Sequence, residues 1–175
     1  ITGRQEFMGL TFTVTPDVLI PRQDTEILVE EALKRIEPGM RVLDLCTGSG
    51  CVLLSVLKEA SVSGVGKDIS QEALLVEELN RKRLGVHAGW IESDLFENVG
   101  GTFQMILSNP PYIPSDVIPE LDPEVREHEP VLALDGREDG LYFYRRIVDE
   151  ARSYLCPGGW LCLEIGYDQG EALEN

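Results

Sequence analysis

The sequence predicts a doubly wound α/β fold, in which helices cover both faces of a mostly parallel sheet. Short apolar segments that suit buried strands alternate with segments of helical period along most of the 175 residues. The strand segments are apolar on both faces, which is typical of parallel strands covered on each side. Parallel strands joined through helices make right-handed crossovers, so the helices lie on both sides of the sheet.

An extended arm and a first helix precede the sheet. Apolar residues alternate over residues 6–14, which predicts a hairpin, and prolines hold the following chain extended up to Asp24. Apolar residues then recur at helical spacing over 27–36. We expect Asp24 or Thr25 to cap this helix and Pro38-Gly39 to end it.

The remaining elements alternate between strand and helix. Strands are predicted over residues 41–45, 62–67, 90–93, 103–108 and 160–165. Helices are predicted over residues 51–60, 70–84 and 141–155, the second of them capped by Ser70. The core face of the third helix is expected to contain Tyr144, Ile147, Val148, Ala151 and Leu155. A turn at Pro157-Gly158-Gly159 separates that helix from the last strand.

Composition excludes several classes of protein. The chain is 43% apolar and 26% charged, and no apolar stretch approaches the roughly 18–20 residues of a membrane span. Fifteen basic residues against 31 acidic ones give a net charge of −16, which repels phosphate backbones. The four cysteines lack metal-site spacing. We therefore expect a cytoplasmic protein with free thiols and no metal, membrane or direct nucleic-acid partner.

A loop rich in small residues follows the first sheet strand. Cys46-Thr47-Gly48-Ser49-Gly50 comes directly after Asp44-Leu45, and its small side chains let a ligand approach the backbone. A tight turn between strand and helix has the same appearance. Leu53 stands where a dinucleotide motif has its third glycine, and the chain has no Gly-Lys-Ser or Gly-Lys-Thr phosphate loop. The ligand therefore need not be a polyphosphate.

Carboxylates end the next two strands. Asp68 follows Gly50 by 18 residues, where a carboxylate can accept both hydroxyls of a ribose. The alternative is that Asp68 only caps the helix that starts near Ser70. Asp94 and Leu95 end the third strand, where an adenine would lie between a polar and an apolar side chain.

The most specific signal is Asn109-Pro110-Pro111-Tyr112, at the end of the 103–108 strand. Each of the first two residues precedes a proline and is held extended, and neither proline has an N–H for the sheet ladder. The Asn109 side-chain oxygen and the Pro110 carbonyl can therefore accept two N–H bonds from one planar amino group. Tyr112 supplies a ring beside that group. A bare turn could also carry these residues.

Residues 115–139 form an unusually long predicted loop. Three prolines and nine acidic residues lie in it, against only two arginines. A connection of this length in a compact domain is functional or disordered. We expect a lid over the site that presents negative charge to a basic protein substrate, the alternative being a solvated acidic loop.

Together, these segments resemble the S-adenosylmethionine-dependent methyltransferases, and closely the peptide-chain release factor glutamine methyltransferases of the HemK/PrmC family. Further matching segments extend over nearly the whole chain: Glu6-Phe7-Met8-Gly9-Leu10, Leu19-Ile20-Pro21-Arg22-Gln23-Asp24-Thr25-Glu26, Asp68-Ile69-Ser70, Ser93-Asp94-Leu95-Phe96, Glu129-Pro130, Leu134-Asp135-Gly136, Asp139-Gly140-Leu141 and Glu164-Ile165-Gly166. The resemblance implies a Rossmann-like class I methyltransferase sheet. We divide the chain into an arm over residues 1–23 and a C-terminally incomplete methyltransferase domain over 24–175.

The resemblance also implies roles for individual residues. S-adenosyl-L-methionine would be bound by Cys46, Thr47, Gly48, Ser49, Gly50, Asp68, Asp94, Leu95 and Asn109. The glutamine amide of a release factor would be bound by Asn109, Pro110, Pro111 and Tyr112, of which Asn109, Pro110 and Tyr112 would be catalytic. Arg22 and Thr25 would support the cofactor mouth.

Three departures from the family accompany the match. We expect the chain to lack the family's N-terminal helical domain and its closing C-terminal strands, and Lys67 should place a cation near Asp68. Three other functions stay open. The chain could methylate an adenine N6 or guanine N2 amino group, because such groups pose a similar geometric problem. It could bind S-adenosylmethionine without turnover, or, less favoured because of Leu53, catalyse nicotinamide-dependent oxidoreduction.

Overall fold

The computed structural model describes residues 3–174 and contains an antiparallel hairpin and a five-stranded parallel sheet. The hairpin pairs β1 (Arg4–Phe7) with β2 (Leu10–Thr13). The sheet consists of β3 (Arg41–Leu45), β4 (Ser63–Asp68), β5 (Gly89–Glu92), β6 (Phe103–Ser108) and β7 (Leu155–Leu163). Its strand order is β5-β4-β3-β6-β7, and the direction in which strands are added reverses at β3. Every strand pair of the sheet is parallel, so the predicted parallel sheet and the predicted hairpin are both confirmed.

Seven helices lie within residues 3–174. They are α1 (Glu26–Leu33), α2 (Cys51–Glu59), α3 (Gln71–Leu84), α4 (Pro123–His128), α5 (Val131–Leu134), α6 (Tyr142–Ala151) and α7 (Gly170–Glu174). Short 3-10 turns occur at Gln23–Thr25 and Ile118–Glu120. Ser70 caps α3 as predicted, because its hydroxyl accepts a bond from the Ala73 N–H. None of the helices in this part of the chain is long and apolar enough to cross a membrane.

Two apolar cores lie on opposite faces of the sheet, as a doubly wound fold requires. On one face the hairpin, α1 and α2 pack against Val42 of β3 and Met105 of β6. On the other face α6 packs against Leu43 and Ile106 of the same two strands. Adjacent strand residues thus point into different cores, which explains why these strands are apolar throughout.

The first predicted helix is too long at its C-terminus. The Arg35 and Ile36 N–H groups both donate to the Ala32 carbonyl, which closes the last turn before Pro38. The Arg35 guanidinium also donates a hydrogen bond to the Glu31 carbonyl, at 2.7 Å. Thr25 precedes α1 in helical geometry without a side-chain cap. Ile27 is 60% exposed, because α1 buries the face that carries Leu28, Val29 and Ala32.

The helix predicted over 141–155 is also shorter than expected. It ends at Ala151, and Leu155 belongs to β7, where it pairs with Phe103. The predicted turn at Pro157-Gly158-Gly159 is an irregularity inside that strand. Val148 is 53% exposed because the buried face of α6 is formed by Tyr144, Ile147 and Ala151.

The segment 115–139, predicted as one long loop, contains the 3-10 turn, α4 and α5. Its prolines open these helices rather than preventing them, since Pro123 is the first residue of α4 and Pro119 lies in the first turn of the 3-10 helix. We call residues 115–139 the acidic segment. It has a folded backbone of its own beside the sheet.

Candidate functional site

A cavity of about 360 Å³ lies at the carboxyl ends of β3, β4 and β6, where the strand order reverses. Its wall includes nine of the residues predicted from the sequence: Cys46, Thr47, Gly48, Ser49, Asp68, Asp94, Leu95, Asn109 and Pro111. The other three, Gly50, Pro110 and Tyr112, are not on the cavity wall, but each is the chain neighbour of a residue that is. This volume lies within the range of ordinary small-molecule sites, roughly 300–1,000 Å³.

The loop between β3 and α2 is folded by its own hydrogen bonds. The Thr47 N–H donates to the Lys67 carbonyl at 2.8 Å, and the Thr47 hydroxyl donates to the buried Asp44 carboxylate at 3.0 Å. Cys46 and Gly48 have positive φ values of 58° and 56°. Cys46 is a side-chain-bearing residue in a conformation that favours glycine, and such strain is concentrated at binding sites. Burial raises the pKa of Asp44 to about 7, although the Thr47 bond opposes the shift.

Asp68 joins this loop to the next helix. One carboxylate oxygen accepts the Gly48 N–H at 2.9 Å, and the other accepts the Ser70 N–H at 3.0 Å. Burial raises the pKa of Asp68, and bonds from the backbone N–H groups of Ser70, Gly48 and Ile69 lower it in part. The alternative that Asp68 caps the next helix therefore has a bond behind it, the one from the Ser70 N–H. A carboxylate has about four acceptor sites, so the three backbone N–H groups do not use up its capacity to accept a bond from a ligand.

Lys67 does not lie beside Asp68 as a counter-ion, so that prediction is wrong. Adjacent strand residues point to opposite faces, and the Lys67 ammonium donates to the Asn98 carbonyl at 3.1 Å on the other side. The side chain is buried, and its burial lowers its pKa.

Sequence reasoning missed a cation at the far end of the cavity. The Arg146 guanidinium on α6 donates to both Asp94 carboxylate oxygens, at 2.8 and 3.1 Å, and lies over the Tyr142 ring. Leu95 beside them is buried at a φ of 49°. Tyr142 and Arg146 are four residues apart and so lie on one face of α6, which the sequence does indicate. It does not indicate that this face meets Asp94, which is about 50 residues away in the chain.

The Asn109-Pro110-Pro111-Tyr112 loop leaves β6 from a firmly held residue. The Ser108 hydroxyl donates to the Leu45 carbonyl at 2.7 Å, and the Glu164 N–H donates to the Ser108 carbonyl at 3.0 Å. Both prolines are buried and Asn109 is half-buried. Burial raises the pKa of Tyr112, and the nearby Glu164 carboxylate raises it further.

Arg22 and Thr25, which we expect at the cofactor mouth, both contribute to the cavity wall. Arg22 forms an ion pair with Glu129, which is buried and also accepts the Ile20 N–H at 3.0 Å. Glu129 lies between α4 and α5. The next residue, Pro130, and two residues of α5, Leu132 and Ala133, line the cavity. The acidic segment is thereby attached to the N-terminal arm, and residues of both line the cavity.

The fold is that of an open α/β protein, and its cavity lies at the topological switch point, where proteins of this architecture bind their ligands. A sequence model of the methyltransferase small domain matches residues 22–118, more than half of the chain. The chain belongs to this family.

Two relatives and one solved structure illustrate the similarity. The release factor glutamine methyltransferase of Geobacter sulfurreducens is 49% identical over 99% of this chain, and that of Agrobacterium fabrum is 44% identical over 97%. The chain spans 62% of the length of each. A 16S rRNA methyltransferase from T. thermophilus, solved with AdoMet and guanosine, superimposes with a TM-score of 0.69 at 19% identity. That match covers 98% of this chain and 44% of the other, and it shows the shared fold.

Proposed function

We propose that the protein transfers a methyl group from S-adenosyl-L-methionine to the side-chain amide nitrogen of a glutamine in the Gly-Gly-Gln loop of peptide-chain release factors. The names of relatives that are 44–49% identical over nearly the whole chain support this substrate. Such a protein would act in the cytoplasm, where translation ends. The observation that carries the proposal is the position of Asn109, directly after β6 and on the cavity wall.

The cavity fits the cofactor in three respects. Gly48 faces open space, since a side chain there would meet nothing within 4 Å, so the loop leaves room for a ligand against its backbone. Asp68 has free lone pairs for ribose hydroxyls. Leu95, with the Asp94 and Arg146 pair, provides an apolar wall and polar groups at the far end for an adenine. The methyl group of the bound sulfonium would supply the electrophile.

The work of the chain's own residues is to orient a weak nucleophile. An amide nitrogen attacks poorly because its lone pair is delocalised into the carbonyl. The Asn109 side-chain oxygen and the Pro110 carbonyl would each accept one N–H of the substrate amide, which fixes its direction and favours a pyramidal nitrogen. The same acceptors stabilise the positive charge that develops on nitrogen during attack. No base is needed beforehand, because the proton becomes acidic once the nitrogen is alkylated.

The acidic segment is the proposed docking surface for the substrate. Its charged side chains are largely exposed, whereas Glu129 faces inward and joins it to the arm. A surface of this sign attracts a basic protein segment and accelerates its encounter with the site. It also repels nucleic acid, which weighs against the methylation of a base.

Methyl transfer from labelled S-adenosylmethionine tests the proposal directly. The protein would be offered a release factor, the same factor with its loop glutamine replaced by alanine, and bulk tRNA and rRNA. We expect label in the intact release factor alone, located on the loop glutamine by mass spectrometry. Label in the nucleic acid would select base methylation, and cofactor binding without label would select a noncatalytic module. Either result contradicts the proposal.

A further inference from the structure

Gln169 is a buried amide that joins three separate parts of the chain. It lies between β7 and α7 and is 8% exposed. Its side-chain oxygen accepts the Gly166 N–H at 2.8 Å. Its side-chain nitrogen donates to the Tyr112 carbonyl at 3.0 Å and reaches the Gly140 carbonyl at 3.4 Å. The orientation of the amide follows from these partners, since a flipped amide would place its oxygen against two carbonyl oxygens.

The backbone packs closely around Tyr112 and the Gln169 amide. A Cβ atom on Gly140 would lie 2.4 Å from the Tyr112 carbonyl oxygen, and one on Gly136 would lie 2.8 Å from the Tyr112 Cα. A Cβ atom on Gly166 would lie 2.9 Å from the Gln169 side-chain oxygen. Three glycines, two of them in the segment before α6 and one after β7, thus allow the backbone to close around Tyr112 and the Gln169 amide.

The Gln169 bonds hold Tyr112, the last residue of the Asn109-Pro110-Pro111-Tyr112 loop. The two proposed acceptors, on Asn109 and Pro110, are at the start of the same loop. Ser108 holds the start of the loop through its bonds to Leu45 and Glu164. Ile113, just beyond the loop, is bonded to Leu134 and Gly136 of the opposite segment. Gln169 attaches the Tyr112 carbonyl to the chain that follows β7. The direction of the intervening Pro110 carbonyl depends on where both ends are held.

We propose that Gln169 is a positioning residue for methyl transfer. Its amide fixes the Tyr112 end of the loop, so that Asn109 and the Pro110 carbonyl face the substrate amide at the angle that in-line attack requires. The inference rests on the proposed function and adds a residue that touches neither cofactor nor substrate. A misplacement of about 1 Å by a change outside the reacting groups can lower a rate by about 10²-fold.

Two substitutions at Gln169 separate positioning from folding. Gln169→Met keeps the length of the side chain but removes both donors. Gln169→Glu keeps the acceptor for Gly166, and its ionised form places negative charge against two carbonyls. Gln71→Met and Gln71→Glu, at the exposed start of α3, are the matched controls.

Wild-type labelling of the release factor is measured first, because its absence would contradict the proposed function and this inference together. With that label present, we expect both Gln169 variants to lose about 10²-fold in kcat. Their cofactor dissociation constant should match that of the Gln71 controls. Both Gln169 variants should melt at a lower temperature than those controls, because buried hydrogen bonds are lost, but they should still unfold cooperatively. Gln169→Glu should regain activity as the pH falls and its carboxyl becomes a donor, whereas Gln169→Met should not.

Wild-type kcat in both variants would overturn the positioning role. It would also be overturned if cofactor affinity and cooperative unfolding were lost together with kcat, because Gln169 would then be required for the fold as a whole.

Discussion

Glu77 is a buried acid whose replacement by glutamine should stabilise the protein. The side chain is 0% exposed on α3, and within residues 3–174 neither carboxyl oxygen has a hydrogen-bond partner. It occupies space left by two glycines, since a Cβ atom on Gly66 would lie 2.4 Å from one of its oxygens. Burial raises the pKa of Glu77 well above its usual range. The negative charges of Asp44, Asp68 and Glu78 raise this pKa further, and the positive charge of Arg81 lowers it in part.

The direction of the pH dependence follows from this raised pKa. The pKa of a glutamate in the unfolded chain is about 4.3. Above that pH, Glu77 keeps its proton in the folded state, whereas the unfolded state has released it. The free energy of unfolding of the wild type therefore falls with rising pH, by up to about 1.4 kcal/mol per pH unit for this one group. Glu77→Gln has no such proton to lose. Its advantage should be smallest near pH 4 and should widen until the folded-state pKa is passed.

Urea denaturation followed by circular dichroism at pH 5, 6 and 7 measures this difference. Asp44 titrates in the same direction and is present in both proteins, so the difference between the two curves reports Glu77 together with its coupling to Asp44. Glu59→Gln, at the exposed end of α2, is the control and should show no widening gap. A constant difference between Glu77→Gln and the wild type from pH 5 to 7 would refute the reasoning.

Three other changes have definite expected outcomes. Asn109→Ala should lose on the order of 10²–10³ in kcat, because one preorganised acceptor is removed; unchanged turnover would refute its role. Gly66→Ala should cost about 1–3 kcal/mol through overlap with the Glu77 carboxyl. In a Glu77→Ala background the same Gly66→Ala substitution should cost almost nothing. A double-mutant cycle measured by urea denaturation compares the two costs, and equal costs in both backgrounds would contradict the overlap. Neutralising three exposed acids of the acidic segment should slow association with a release factor at low salt in stopped-flow measurements, and an unchanged rate would count against steering. These acids are Glu120, Asp122 and Glu124.

The sheet and the loops at its carboxyl edge could be predicted because their signals are local. A strand buried on both faces must be apolar at nearly every position, and β6 was predicted with its observed ends. Helix ends were less predictable, because the C-terminus of α1 depends on how Arg35 bonds to Glu31. Leu155 was assigned to the wrong element because its pairing with Phe103 arises between distant parts of the chain.

The polar contacts that support the site could not be predicted, because each one joins distant positions. Arg146 meets Asp94 across 52 residues, Glu129 meets Arg22 across 107, and Gln169 meets Tyr112 across 57. No periodicity records such pairs. Glu77 was overlooked for a different reason, since a glutamate on a helix is usually exposed and only the facing glycines show that this one is buried.

The proposed role of the Asn109-Pro110 pair can be checked in a structure of the protein bound to S-adenosylhomocysteine and a peptide containing Gly-Gly-Gln. We expect the glutamine side-chain nitrogen to lie within hydrogen-bond distance of both the Asn109 side-chain oxygen and the Pro110 carbonyl, and to face the cofactor sulfur. A glutamine amide bound elsewhere, with Asn109 turned away from the cavity, would contradict it.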